Sequence, residues 1–71
     1  MSWSKSVYSS HVRTVEYDSD RQELLVTWQN GRVSAYEGVD EQTALQVANA
    51  PSVGQMIHSE IKSNYKHRYV A

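Results

Sequence analysis

Leu24, Val26 and Trp28 alternate with Leu25, Thr27 and Gln29, the period of two that a half-buried β-strand imposes on its side chains. Asn30-Gly31 follows at once, a pair suited to the positive φ angles of a two-residue type I′ hairpin loop. With that loop, Trp28 faces Val33, Val26 faces Ala35 and Leu25 faces Tyr36. The buried sheet face is then Leu24, Val26, Trp28, Val33 and Ala35. The opposite face carries Gln29, Arg32, Thr27, Ser34, Leu25 and Tyr36, a mixed surface that can be solvated, cover a second small core or bind a ligand. Upstream, His11 to Tyr17 is rich in Val, Thr and Tyr and predicts a strand, and the uneven steps from Val12 to Val15 to Tyr17 predict a bulge or a late strand start. Asp18-Ser19-Asp20-Arg21 between the two strands reads as a turn, because Asp and Ser side chains bond nearby backbone groups.

After Tyr36 the period changes. Asp40 is placed to cap a helix, Glu41 sits well against its dipole, and Val39 can pack on Ala44 as a hydrophobic staple. Leu45, Val47 and Ala48 give this helix an apolar side, and Pro51 ends it by steering the preceding residue away from helical angles. Ser52-Val53-Gly54-Gln55 has the form of a capping box, and Val53, Ile57, Ile61 and Tyr65 continue behind it as an i, i+4 stripe, predicting a second helix to about Asn64. The tail Lys66-His67-Arg68-Tyr69-Val70 is expected to be extended, able to form a short fourth strand. The fold class is therefore α+β: a three-stranded antiparallel meander packed by two helices, in the order β-β-β-α-α.

With 71 residues there is room for one core only. Residues 10–71 are expected to form that domain, and residues 1–9, rich in Ser, a mobile segment whose Trp3 and Tyr8 can still dock on the body. The absence of cysteine removes disulfides and thiolate zinc sites, and leaves self-association into a homo-oligomer as the expected reinforcement of a small core. No stretch approaches the ~20 apolar residues that span a bilayer, so a cytoplasmic location is expected, in the host cytoplasm if the chain is phage-encoded. A net charge of −1 does not suit a uniformly basic nucleic-acid binder. The charge is uneven, however: acidic residues crowd the first two thirds, whereas Lys62, Lys66 and Arg68 sit with His58 and His67 near the end.

Taken in order, Tyr17-Asp18, then Leu24, Val26 and Trp28, Asn30-Gly31, Tyr36, Val39, and Ala50-Pro51-Ser52-x-Gly54 with Ile61 and Tyr65, resemble the KTSC domain over about residues 10 to 68. That domain is named for its occurrence at the C-terminus of some lysyl-tRNA synthetases and is also found alone in small bacterial and phage proteins. Its company with a synthetase implies RNA binding. The family commonly has Tyr-x-Tyr after the Asn-Gly turn; here Ser34 takes the first of those positions and only Tyr36 is kept, so a stacking platform built on the pair would be half present.

Candidate chemistry is sparse. His11, His58 and His67 lack metal-ligand spacing and no Cys supports them, no serine sits in G-x-S-x-G, and no cofactor motif is present, so a non-enzymatic module is expected. Ser52 and Gly54 open a helix, where free N–H groups can receive an anion, but they can equally cap and pack. Lys62, Lys66, His67 and Arg68, interleaved with Tyr65 and Tyr69, combine phosphate-pairing charge with rings that stack on bases, and Arg13, Arg32 and Tyr36 join them if the second sheet face is open. The same charges also stabilise a helix C-terminus, and Tyr65 continues the apolar stripe. Two readings result: a binding module for RNA or a phosphate-bearing small molecule such as a nucleotide, or a protein-interaction or self-assembly module, of the kind a phage directs at a host protein.

Overall fold

In the computed structural model, residues 2–7 and 9–71 are described. The expectation for Tyr8 lies outside them. One antiparallel sheet contains five strands in chain order: β1 (Ser2–Ser6), β2 (Val12–Asp18), β3 (Glu23–Trp28), β4 (Val33–Glu37) and β5 (Lys66–Tyr69). Between β4 and β5 lie α1 (Glu41–Ala48) and α2 (Val53–Met56), which runs on into a π-helical turn (Ile57–Ile61). The α+β class and the two helices match expectation, but the strand count does not. The unforeseen strand is β1, formed where the serine content predicts a mobile segment. Its serines alternate with Trp3 and Lys5, which lie opposite Tyr17 and Val15 on the helix-covered face. There the Trp3 ring packs on Tyr17 at 5.8 Å, its indole donates to Glu41 at 3.2 Å, and Lys5 donates to Asn49 at 2.6 Å.

The hairpin register is one residue away from the expected one. Thr27 faces Val33, Val26 faces Ser34, Leu25 faces Ala35 and Leu24 faces Tyr36. The loop is the cause. Trp28 N–H donates to the Arg32 carbonyl at 2.8 Å and Gly31 N–H to the Trp28 carbonyl at 3.0 Å, so Gln29, Asn30 and Gly31 form a three-residue loop, with Gly31 at φ +90°. A slip of one residue exchanges the faces of a strand. Ser34 and Tyr36 therefore join Leu24, Val26 and Trp28 under the helices, while Val33 and Ala35 lie on the other side.

The uneven spacing in β2 is a bulge between Val12 and Thr14, which lets Val12 and Val15 share the buried face. The core joins Val12, Val15, Tyr17, Leu24, Val26 and Tyr36 of the sheet to Val39, Ala44 and Val47 around α1 and to Val53, Ile57 and Ile61 beyond it. Each of the larger aliphatic side chains, wholly removed from water, contributes about 1.5–3 kcal/mol. The turn after β2 is held by the Asp18 carboxylate, which accepts from the N–H groups of Asp20 and Arg21.

Asp40 caps α1 by accepting from Thr43 N–H at 3.3 Å, and hydrogen bonding to Thr43, chiefly to its side chain and then to its N–H, holds the carboxyl below the usual carboxylate range. Leu45, expected on the buried side, is 45 % exposed; Ala44, Val47 and Ala48 fill that side instead. The capping box at the start of α2 does not form: Ser52 stands at the N-cap with extended backbone, but its hydroxyl makes no capping bond. The second helix also ends earlier than expected, at Ile61, through a Lys62 N–H bond to the Ile57 carbonyl that widens its last turn. Among the described residues no helix is long and apolar enough to cross a membrane.

Candidate ligand cleft

Between α2 with its π turn and the β3–β4–β5 part of the sheet lies an open cleft of about 610 Å³, within the range of small-molecule sites. Its floor is Trp28, Ser34 and Tyr36, one wall is Gly54, Gln55, Ile57, His58 and Lys62, and the facing wall is His67 and Tyr69 of β5, with His11 closing one end. All three histidines of the chain therefore line one space. Among the described residues, no three His, Cys, Asp or Glu side chains are placed to hold a metal ion.

Local rules put each group there. The slipped register turns Ser34 and Tyr36 inward, and their partners across the ladder, Tyr69 and His67, must share that face. The rings form a ladder: Tyr36 to His67 at 4.9 Å, His67 edge-on to Tyr69 at 4.7 Å, and the Arg32 guanidinium 4.2 Å over the Tyr69 ring. The ladder passes from a buried rung to exposed ones, since Tyr36 is 3 % exposed and Tyr69 55 %. Burial, then the nearby Tyr69, pushes the Tyr36 phenol up in pKa against a hydrogen bond with Ser34, so it is a neutral hydrogen-bonding group near neutral pH. Ser34 itself is buried, and its hydroxyl accepts from the Trp28 indole at 2.7 Å. His11 is fixed through its backbone, as its carbonyl accepts from Gln29 N–H at 2.8 Å and its own N–H donates to the Ser9 hydroxyl at 3.3 Å.

No carboxylate is among the described residues that line the cleft. Every ion pair among the described residues belongs to Arg68, whose guanidinium meets Glu23 at 2.7 Å and Glu37 at 2.9 Å on the far face of the sheet. The Glu23 bond, ahead of the Glu37 contact, raises its pKa. Lys62 therefore meets a partly aromatic wall with no carboxylate among its described residues.

Of the residues singled out in the sequence, the fold brings Tyr36, Gly54 and Lys62 into the cleft, with Arg32 at its far end. Arg68 is engaged on the opposite face, and Lys66, an alternate neighbour on β5, faces the same way. Arg13, in the β2 bulge, donates to the Gln29 carbonyl at 3.1 Å. Tyr65 packs half-buried against the core, and Ser52 is exposed and does not line the cleft. Gly54 approaches the segment before β2, where an added Cβ would lie 3.4 Å from the Ser9 hydroxyl, rather than packing on α1. His67, grouped in the sequence with Lys62, Lys66 and Arg68, does line the cleft, whereas His11, His58 and Trp28 are cleft residues that sequence reasoning passed over as ligand groups, and with His67 they span four parts of the fold. No spacing in the chain announces them.

An antiparallel sheet covered on one face by two helices, with a ring-lined cleft between them that has no carboxylate among its described residues, defines a small α+β module. The chain belongs to the KTSC domain family, whose sequence profile matches residues 8–65. The crystal structure of a KTSC domain protein from Yersinia pestis is similar with a TM-score of 0.90, covering 100 % of both chains at 24 % identity, which shows a shared fold. No curated protein matches the sequence.

Proposed function

We propose that the protein is a non-enzymatic binding module whose cleft takes a phosphate-bearing ligand with a planar base, a nucleotide or a nucleotide unit of RNA. The observation that carries this reading is the ring ladder Tyr36–His67–Tyr69 facing Lys62 across a cleft without carboxylates. Rings offer a base a stacking surface that tolerates any sequence, and a lysine ammonium is a compact partner for phosphate. Imidazoles beside it offer N–H donors to the same group. Binding rather than catalysis is supported by the state of the cleft's hydroxyl nucleophile: Ser34 is buried, bonded to an indole, and has no basic partner among its described contacts.

Titration at low salt with the four nucleoside monophosphates, followed by tryptophan fluorescence in a Trp3→Phe background, tests this reading. Saturable quenching that Lys62→Ala abolishes, with an unchanged far-ultraviolet spectrum, is the expected result. Absence of any binding to the folded protein at millimolar ligand removes the reading.

Assembly through the free edge of β5 is the second reading. It has one observation behind it, the exposure of Tyr69 and Val70 beside that edge. Lys66 and Arg68 on the same strand are the charges that commonly discourage edge pairing. The accessible surface, 4512 Å², also equals the roughly 4,500 Å² expected of a compact monomer of this mass. We therefore place it second.

A further inference from the structure

We infer that the cleft is one end of a short track for single-stranded nucleic acid, with a second phosphate subsite at Arg32. This rests on the nucleotide reading above and extends it to ligand length. Past Tyr69 the cleft continues into a second depression of about 310 Å³, and His11, Trp28 and Tyr69 line both spaces. The second space adds Gln29, Asn30 and Arg32 from the hairpin loop, again with no carboxylate among its described residues.

The two cations line successive spaces along one run of rings. Lys62 belongs to the helix wall beside His58, whereas Arg32 lies beyond the last rung, its guanidinium stacked on Tyr69 at 4.2 Å. Neither is in an ion pair with the described carboxylates, all of those pairs being made by Arg68. A mononucleotide has a single phosphate and would leave one cation unused. A 5′-phosphorylated strand of two or three nucleotides brings more than one phosphate along its backbone, enough for each cation, and sets bases against the rings, which is the arrangement of single-strand sites elsewhere. The guanidinium keeps its charge and its fork of N–H donors while stacked, so it can meet a phosphate from the edge. An acidic peptide would satisfy the cations but leave the rings between them without a matching partner.

The whole chain, titrated at low salt with UMP and with the trinucleotide pUpUpU, decides the matter. The trinucleotide is expected to bind at least about tenfold more tightly. Arg32→Ala is expected to weaken the trinucleotide by about fivefold or more, to leave UMP within about twofold, and to reduce the salt slope of trinucleotide binding by about 0.7, the share of one phosphate on a single strand. Equal affinities for the two ligands, or an equal loss of both in Arg32→Ala, would overturn the track and leave the nucleotide reading in place. A glutamate-rich hexapeptide competing as well as the trinucleotide would also overturn it. Failure of both nucleotides to bind the folded protein removes the track together with the reading beneath it. Arg32 is exposed in the loop region, and a melting curve confirms that the variant is folded.

Discussion

The Trp28 indole donates to the Ser34 hydroxyl at 2.7 Å across the hairpin, beneath the cleft. This bond requires the three-residue loop, because only the slipped register puts both side chains on one face. Ser34→Ala leaves a half-buried indole N–H without its partner and is expected to cost about 1–2 kcal/mol in urea unfolding. Combined with Trp28→Phe in a double-mutant cycle, it should show a coupling of about 1 kcal/mol; strict additivity would mean the bond does not stabilise the fold.

Gly31 and Gly54 should respond oppositely to alanine. At Gly31 there is open space but φ is +90°, so Gly31→Ala strains the backbone and is expected to destabilise by about 1 kcal/mol. Gly54 is helical and a new Cβ meets only ordinary contact at 3.4 Å, so Gly54→Ala is expected to stabilise by about 0.5 kcal/mol. Thermal melts of the two variants check both signs.

The buried Tyr17 hydroxyl donates to the Val39 carbonyl at 2.7 Å, linking β2 to the start of α1. Burial, followed by the charges of Glu41, Asp40 and Asp18, raises its pKa above 10.0. The folded state thus holds this proton more firmly than the unfolded one. Its contribution is complete below the unfolded value of about 10 and is lost as pH rises through the folded one. Tyr17→Phe is expected to lower stability by about 1 kcal/mol at pH 7 and to flatten the alkaline decline measured from pH 9 to 11.

Asp40 has the opposite sign. Hydrogen bonding to Thr43, its side chain first and its N–H second, lowers the folded pKa below 3.8, so the stabilisation is complete above that value and is lost as pH falls through the folded one. Asp40→Asn should keep the cap but remove this share of the acid sensitivity, whereas Asp40→Ala should lower the melting temperature at neutral pH. Melts at pH 7 and pH 3 distinguish the two.

Two alanine variants of basic residues should separate the sheet's faces. Lys62→Ala is expected to abolish nucleotide quenching with little change in melting temperature. Arg68→Ala, on the face away from the cleft, is expected to leave that quenching within about twofold while removing the Glu23 and Glu37 contacts. Equal losses in both would place the ligand outside the cleft.

Much of the body could be read from local physics: the bulge between Val12 and Val15, the Asp18 turn, the Asp40 cap and the stripe from Val53 through Ile61 all depend on neighbours in sequence. The slipped register could not, since Asn-Gly serves two-residue and three-residue loops alike, and the choice between them decides which way Tyr36 points. β1 was legible in principle from the alternation of Trp3, Lys5 and Val7, but the serines between them read as a mobile segment. The cleft was legible least. Lys62, His67 and Tyr36 carried visible chemistry, whereas His11 and Trp28 join the site only through a tertiary arrangement of loop and sheet.

The widened turn at Ile57–Ile61 acts as an angular spacer. Each residue of an α-helix advances about 100° around its axis. The π turn absorbs one such step: with the exposed Ser59 deleted, Lys62 N–H would stand four residues after Ile57 and could meet the same carbonyl in an ordinary α-helical turn. Lys62 would keep its place on the cleft and Tyr65 its place against the core, so a loss of one residue there would leave the site standing while making the helix itself more regular.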